Sequence, residues 1–303
     1  MRVTVLGGTR FIGPFVVRRL VAQGHQVTVV HRGEHERDDL GPVRHVHTDR
    51  AELAAAMAEI GDAEVAVDMA PWTEADMRTA LDALRGHVGR LVAVSSVDVY
   101  RVFGALLGIE DSPLPSPPVD EDAPLRTVLH PYRHRPQPDQ PAWMHDYDKI
   151  LVERLVLEDS QVRGTVLRLG AVYGPGDNQH RLRRVVQAAD RGEDIALEQS
   201  EAEALWPYVY VDNVAAAIAL AVSDERAAGR VYNVGPEPTP SNAEFMQRAA
   251  QLLGWRGRVV VTPGEPPRHQ LDLRTDRIRR ELGYVEPVGF EESIRSTAEW
   301  ERT

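Results

Sequence analysis

A doubly wound α/β fold, with one parallel sheet covered by helices on both faces, is what this 303-residue sequence predicts, on three observations. Short β-branched runs alternate with segments whose apolar residues recur every three or four positions. A glycine-rich turn, Gly7-Gly8-Thr9-Arg10-Phe11-Ile12-Gly13, links the first such run to the first helical segment. The alternation holds through the first half of the chain, and strand-helix-strand repetition of this kind builds a parallel sheet through crossover connections.

Taken in order, the predicted strands are 3–6, 26–30, 43–47, 65–69, 91–94 and 165–169, each rich in Val, Leu or Thr. Between them the spacing predicts helices over 11–23, 52–60 and 74–84. From Gly108 to Trp143 the pattern stops, because nine prolines fall there (Pro113, Pro115, Pro117, Pro118, Pro124, Pro131, Pro136, Pro138 and Pro141). Proline removes a backbone donor and fixes φ, so 108–143 reads as a long loop or flap, placed to roof a site at Lys149. Beyond Tyr173 the chain mixes helices with short strands, with apolar helices at 214–222 and 245–253. The organisation expected is a dinucleotide-binding unit over 1–172, flap included, and a smaller substrate-binding lobe over 173–303 that interleaves with the sheet.

Composition narrows the function. Hydrophobic content of 43% and charged content of 27% are those of a globular protein with a buried core. No run approaches a membrane span, and Met1 to Val5 enters a strand with no signal peptide before it. Without cysteine there is no disulfide, thiol nucleophile or thiolate-zinc site, and no other metal site is expected; a cytoplasmic location agrees with this. The net charge of -11 argues against nucleic acid as a partner. Arg181, Arg183 and Arg184 form one small basic cluster, read as a solvated helix face.

Lys149 is the only lysine beside 34 arginines (35 basic residues in all), in the segment His145-Asp146-Tyr147-Asp148-Lys149. A chain that uses arginine almost everywhere keeps a lysine where a compact ammonium is needed in place of a planar fork. At the other end, Gly7 and Gly13 permit a tight turn and close packing, and the following helix offers free N–H groups to a pyrophosphate. Thr9, Phe11 and Ile12 belong to the same turn. Arg10 stands where a middle glycine is usual and adds a cation beside the phosphates. The second strand ends in His31-Arg32 with no carboxylate before Glu34, which favours NADP, with Arg32 and Arg10 as partners of a 2′-phosphate, over NAD. Asp49 is placed to reach the adenine amino group or to cap the next helix.

These features, with Val94-Ser95-Ser96-Val97-Asp98-Val99-Tyr100, Leu167 to Asp177, Tyr210-Val211-Asp212-Asn213-Val214, Val231 to Gly235 and Arg280 to Tyr284, resemble the extended short-chain dehydrogenase/reductase superfamily in its NAD-dependent epimerase/dehydratase branch. The resemblance implies a Rossmann-type dinucleotide site that also takes in Ala70, Gly170 and Val172, and a homodimer formed through a four-helix bundle. It implies a catalytic serine at Ser96 and the ribose-binding lysine at Lys149. In the family a tyrosine precedes that lysine by four residues; here the position is His145. Tyr147 is two residues away, about 200° around a regular helix.

Three readings of the acid/base stay open: His145 in place of the phenol, Tyr147 in a non-helical first turn, or Asp98, at a position where sugar-nucleotide dehydratases of the family carry an acid. The expectation is a direct role for Tyr147. A second departure is Trp206, where sugar-nucleotide enzymes commonly place an arginine for the diphosphate. It leaves room for a flatter or more apolar substrate stacking on Trp206, Tyr208 or Tyr210. The function expected is an NAD(P)-dependent enzyme acting on a secondary alcohol or ketone of a small molecule. The alternative is a nucleotide-binding sensor or RNA-associated protein that kept the fold and lost the chemistry.

Overall fold

A computed structural model describes residues 1–133 and 141–303. The strands are β1 (Arg2–Leu6), β2 (Gln26–His31), β3 (Arg44–His47), β4 (Ala63–Asp68), β5 (Val88–Ser96), β6 (Arg163–Leu169), β7 (Ala171–Tyr173), β8 (Ile195–Glu198), β9 (Tyr208–Tyr210), β10 (Val231–Val234) and β11 (Val259–Thr262). The helices are α1 (Ile12–Ala22), α2 (Leu53–Ile60), α3 (Glu74–Leu84), α4 (Arg101–Leu106), α5 (Lys149–Glu158), α6 (Arg183–Arg191), α7 (Gln199–Ala202), α8 (Val211–Ser223), α9 (Asn242–Leu252), α10 (Asp276–Leu282) and α11 (Phe290–Glu301).

Seven strands pair in parallel in the order β10-β6-β5-β4-β1-β2-β3. Successive strands run outward from β1 in one direction and from β4 in the other, so the strand order reverses between them. A crevice opens at such a point beyond the carboxyl ends of the strands. Burial of the sheet on both faces explains why its strands read as continuous Val and Leu runs instead of alternating ones. Val16, Val17 and Leu20 of α1 and the apolar side of α8 cover one face over Val3, Val5 and Val29. Leu53 and Met57 of α2, Met77 and Leu81 of α3 and Val152 of α5 cover the other over Leu6, Val30 and Leu91.

The strand β10 lies beyond residue 173 and yet pairs with β6 at the sheet edge, through Val231↔Val166 to Val234↔Leu169. With α8 it brings the later part of the chain into the central sheet and the helical layer over it. The Pro-rich segment forms no α-helix or sheet strand where it is described, only single turns of tight 3-10 helix at Pro131–Arg133 and Ala142–His145. It is also pinned to neighbouring elements. Val119 N–H donates to Asp272 O at 2.8 Å and Arg126 N–H to Val99 O at 2.7 Å, so the segment is threaded between β5 and the C-terminal part. Residues 134–140 of the expected flap, with Pro136 and Pro138, lie outside the described residues.

Candidate active site

The glycine turn meets its demands in turn. Gly7 has φ +87°, and its N–H donates to Val30 O at 2.9 Å. A Cβ on Gly13 would lie 2.5 Å from the Gly8 carbonyl carbon, so α1 approaches the turn as only glycine permits. Phe11, the residue before α1, takes φ 43° and supplies no side-chain acceptor to the helix. Gly13 N–H is spent on Arg10 O at 2.9 Å and Pro14 has no N–H, so of the first three residues of α1 Ile12 offers the N–H for an anion, at the positive end of the helix. Gly176, at φ 90°, brings the loop after β7 against Phe11 Cα at the distance of 3.4 Å from an ideal Cβ. A dinucleotide fits these residues: Gly7 and Gly13 let the backbone of the turn come close, and the end of α1 beside it carries no side-chain cap.

Arg10, in the turn after β1, and Arg32, just past β2, are exposed, and Arg32 pairs with Glu34 at 2.9 Å on the open surface. Asp49 accepts from Glu52 N–H at 3.1 Å, the capping use that the sequence allowed. Ala70 N–H bonds the buried Asp68, which a fork of two contacts from Arg50 also holds, at 2.6 and 2.8 Å. Gly170 faces Pro207 too closely for any Cβ, and Val172 is buried with its carbonyl bonded by Arg181. His31 is buried and turned onto His45, Nε2 to Nδ1 at 2.8 Å. Donor atoms of His31, Glu36 and His45 lie within 4.8 Å of one another. Gly33 N–H donates into His31 Nδ1 at 3.2 Å, which puts the ring proton on Nε2, where a cation would need the lone pair. The arrangement is a hydrogen-bonded cap on the strand ends, and burial holds His31 below the usual imidazole range.

The reacting corner is built from β5, α5 and the residues before α5. Tyr147 is not on the helix. It bridges Thr73 in antiparallel fashion, Asp148 N–H donates to Trp72 O at 3.2 Å, and Asp148 is itself extended (φ -160°). Helix α5 starts only at Lys149, so the 200° separation of a regular helix does not apply. Tyr147 Oη donates to Asp98 Oδ2 at 2.6 Å. The other oxygen, Asp98 Oδ1, is buried without a partner among the described residues. Burial raises the Asp98 carboxyl above the usual range against the pull of Arg126. Burial, followed by the Asp98 charge, holds the Tyr147 phenol well above its own.

Lys149 is 1% exposed, and Nζ donates to Pro71 O at 2.8 Å and Val94 O at 3.0 Å, leaving one proton for a ligand. Burial lowers its pKa to about 8, opposed by the charges of Asp98 and Asp68. Ser96 Oγ accepts from Asp98 N–H at 3.2 Å and keeps its own proton free to donate. His145 is not brought into this group. It ends a single turn of tight helix with a side chain 69% exposed, and its Nδ1 lies 2.9 Å from Asp146 Oδ1.

What places Tyr147 and Lys149 is Asp148, a residue that the sequence reading passed over. It caps α5 by accepting from Ile150 N–H at 2.9 Å, and it also accepts from His130 N–H at 2.7 Å. Arg126, fully buried, reaches it at 3.2 Å and donates to Asp98 O at 2.5 Å. His130 holds φ 51° for its contact, a strained conformation of the kind that surrounding structure must enforce. The signal was available, since Asp immediately before a helix is a strong cap. Below the site, Glu153 accepts from Ser95 Oγ at 2.5 Å and from Arg168 at 2.7 to 3.2 Å. Arg168 and Asn233 then hold Tyr100 Oη at 3.0 and 2.6 Å. This network gives the motifs around Ser95, Arg168 and Asn233 a structural reason.

The aromatic platform expected at Trp206, Tyr208 and Tyr210 is not an open surface. Tyr208 stacks on Phe245 at 4.1 Å, Tyr210 is buried, and Trp206 packs on Phe103. Exposed aromatic rings lie instead beside Lys149. Trp72 and Trp143 stack at 5.0 Å, and Lys149 Nζ sits 4.6 Å from the Trp72 ring centre. The basic cluster is tied down by acids, as Arg181–Asp177, Arg183–Glu301 and Arg184–Glu201 pairs.

A family model, the NAD dependent epimerase/dehydratase family, matches residues 3–235. The chain belongs to that family. A 3-diazoavenalumate denitrifying reductase of a Streptomyces species is 28% identical over 94% of this chain and 95% of its own length. A 2'-dehydrokanamycin reductase of Streptomyces kanamyceticus is also 28% identical, over 90% of this chain and 72% of its own. Among solved structures, a UDP-N-acetylglucosamine 4-epimerase from Bacillus cereus superimposes with a TM-score of 0.75 at 17% identity, over 100% of both chains. Membership makes the protein an NAD(P)-dependent enzyme, with relatives that include reductases, epimerases and dehydratases. No helix among the described residues is long and apolar enough to cross a membrane.

Proposed function

We propose that the protein interconverts a secondary alcohol and a ketone of a small molecule with NADP(H), using Tyr147 and Asp98 as a two-membered proton relay. The observation that carries the reading is the 2.6 Å bond from Tyr147 Oη to Asp98 Oδ2 beside the single lysine. The nicotinamide, when bound, supplies or accepts the hydride. Lys149, through its remaining proton, would hold the nicotinamide ribose, and Ser96 Oγ would donate to the substrate oxygen. In alcohol oxidation Tyr147 Oη takes the hydroxyl proton as it passes its own to Asp98. In ketone reduction the two transfers reverse. A carboxyl raised by burial suits this task, since its proton affinity lies closer to that of its partner. Two relatives named as reductases support this direction. The assembled Ser96, Tyr147, Asp98 and Lys149 weigh against a sensor or RNA-associated protein without chemistry.

The Lys149 cation is required in this scheme, so alcohol-oxidising kcat/KM should fall as pH rises through about 8, where its ammonium loses the proton. Lys149→Arg keeps the charge to much higher pH but forces a larger group into a slot bounded by Pro71 O and Val94 O. That variant should lose the high-pH limb, lose stability by about 1–3 kcal/mol, and bind cofactor more weakly. Wild-type activity with the limb unchanged would remove Lys149 from the scheme.

NADP(H) should bind more tightly than NAD(H) by about 1.5–3 kcal/mol, through charge-assisted bonds from Arg32 and Arg10 to the 2′-phosphate. The Arg32–Glu34 pair is exposed, and such pairs contribute little, so Arg32 can exchange Glu34 for phosphate. Calorimetric titration of both cofactors, repeated with Arg32→Ala, tests this. Equal affinities in the wild type would rule out the assignment.

A further inference from the structure

We infer that the substrate's carbonyl or hydroxyl is borne on a planar, conjugated ring system that lies against Trp143 and Trp72, and not on a nucleoside-diphosphate sugar. The inference rests on the oxidoreductase reading above and names the substrate class for that same site.

Of the five tryptophans, Trp72 and Trp143 are the two left exposed, at 39% and 42%. They stack on each other at 5.0 Å with planes 25° apart. Large aromatic rings exposed as a pair are an uncommon surface feature and mark a contact site when they adjoin reactive groups. Here they adjoin them directly. Trp72 and Trp143 lie 6.2 and 6.1 Å from the Tyr147 ring, and Tyr132 lies 5.2 Å from it on a tilted plane. The phenol that moves the proton is thus ringed by three aromatic side chains, a lining that favours the faces and edges of a flat π-system. A sugar ring presents hydroxyls in several directions and needs polar partners for each.

The charges point the same way. A diphosphate needs unspent cations, preferably arginine forks. Among the described residues, the buried cation of this corner, Arg126, is committed to Asp148, Asp98 O and Val128 O, and Arg133 on the surface is bonded to His145 O and Asp146. Lys149 is buried under Trp72. Trp206, where sugar-nucleotide enzymes commonly place an arginine, packs on Phe103 and brings no charge.

The test is calorimetric titration of 2-acetonaphthone and of UDP-glucose into the wild-type protein, Trp143→Ala and Trp143→Phe, with NADP+ affinity measured on the same samples. Trp143 is exposed, so its replacement leaves the core intact. The ketone should bind the wild type and UDP-glucose should not. Trp143→Ala should weaken the ketone about tenfold, Trp143→Phe should recover most of that loss, and neither should alter NADP+ binding. Tighter binding of UDP-glucose, or ketone binding indifferent to Trp143, overturns the inference. A wild type that takes the ketone but not NADP+ keeps the aromatic site and removes the oxidoreductase reading. One that takes NADP+ but not the ketone does the reverse.

Discussion

Tyr147→Phe is expected to lower kcat/KM by about 10²- to 10⁴-fold while leaving cofactor affinity within about twofold of wild type, the range for loss of a positioned acid/base group. The substitution removes one oxygen from a buried ring and leaves the backbone bridge to Thr73 in place. It also leaves both carboxylate oxygens of Asp98 without a partner among the described residues, where one already is. Some stability is lost with that bond, about 1–3 kcal/mol. Asp98→Asn should impair turnover in the same direction, because an amide cannot receive the relayed proton. Its loss should appear in kcat more than in KM if Asp98 acts only through Tyr147. His145→Phe, at an exposed position, should behave as wild type. The comparison is made by steady-state kinetics across pH with a ketone identified by substrate screening. Full activity in Tyr147→Phe would end the phenol's role.

Arg126→Met should destabilise the protein by about 3–5 kcal/mol, because it strands a buried carboxylate at Asp148. Two other contacts of that carboxylate remain, from Ile150 N–H and His130 N–H, with the charge uncompensated. The double variant Arg126→Met/Asp148→Asn should lose less than the sum of the single variants, since the charge is then gone from both partners. Urea unfolding followed by circular dichroism measures all three. A single variant as stable as wild type would show that Arg126 is not what holds Asp148, and with it the start of α5.

Much of this was legible in the sequence, and what was not has physical causes. The strands of the central sheet show as Val-rich runs because both faces are buried, and α3 is read to the residue from its apolar spacing, its start being fixed in the structure by a capping box of Thr73 and Asp76. Lys149 could be singled out by its rarity. The position of Tyr147 could not be derived from a helical wheel, because the residues before α5 are extended by the bridge to Thr73, a partner 74 positions back. For the same reason Trp72 and Trp143, which lie on separate loops, gave no joint signal, whereas Trp206, Tyr208 and Tyr210 stood together in the sequence and drew attention to what is largely core. Long-range pairings of this kind leave no local periodicity to read. His145 illustrates the reverse error: the family spacing marks it, yet the chain sets it on the surface against Asp146.

The most direct test is a crystal structure of the protein with NADP+ bound. The account predicts the Tyr147 hydroxyl, still bonded to Asp98, on the nicotinamide side of the pocket within about 4 Å of the C4 face, close enough for a substrate oxygen to bridge it and Ser96, with Lys149 Nζ about 3 Å from a ribose hydroxyl. A structure in which the His145 ring faces C4 while Tyr147 is turned away from it would contradict the account.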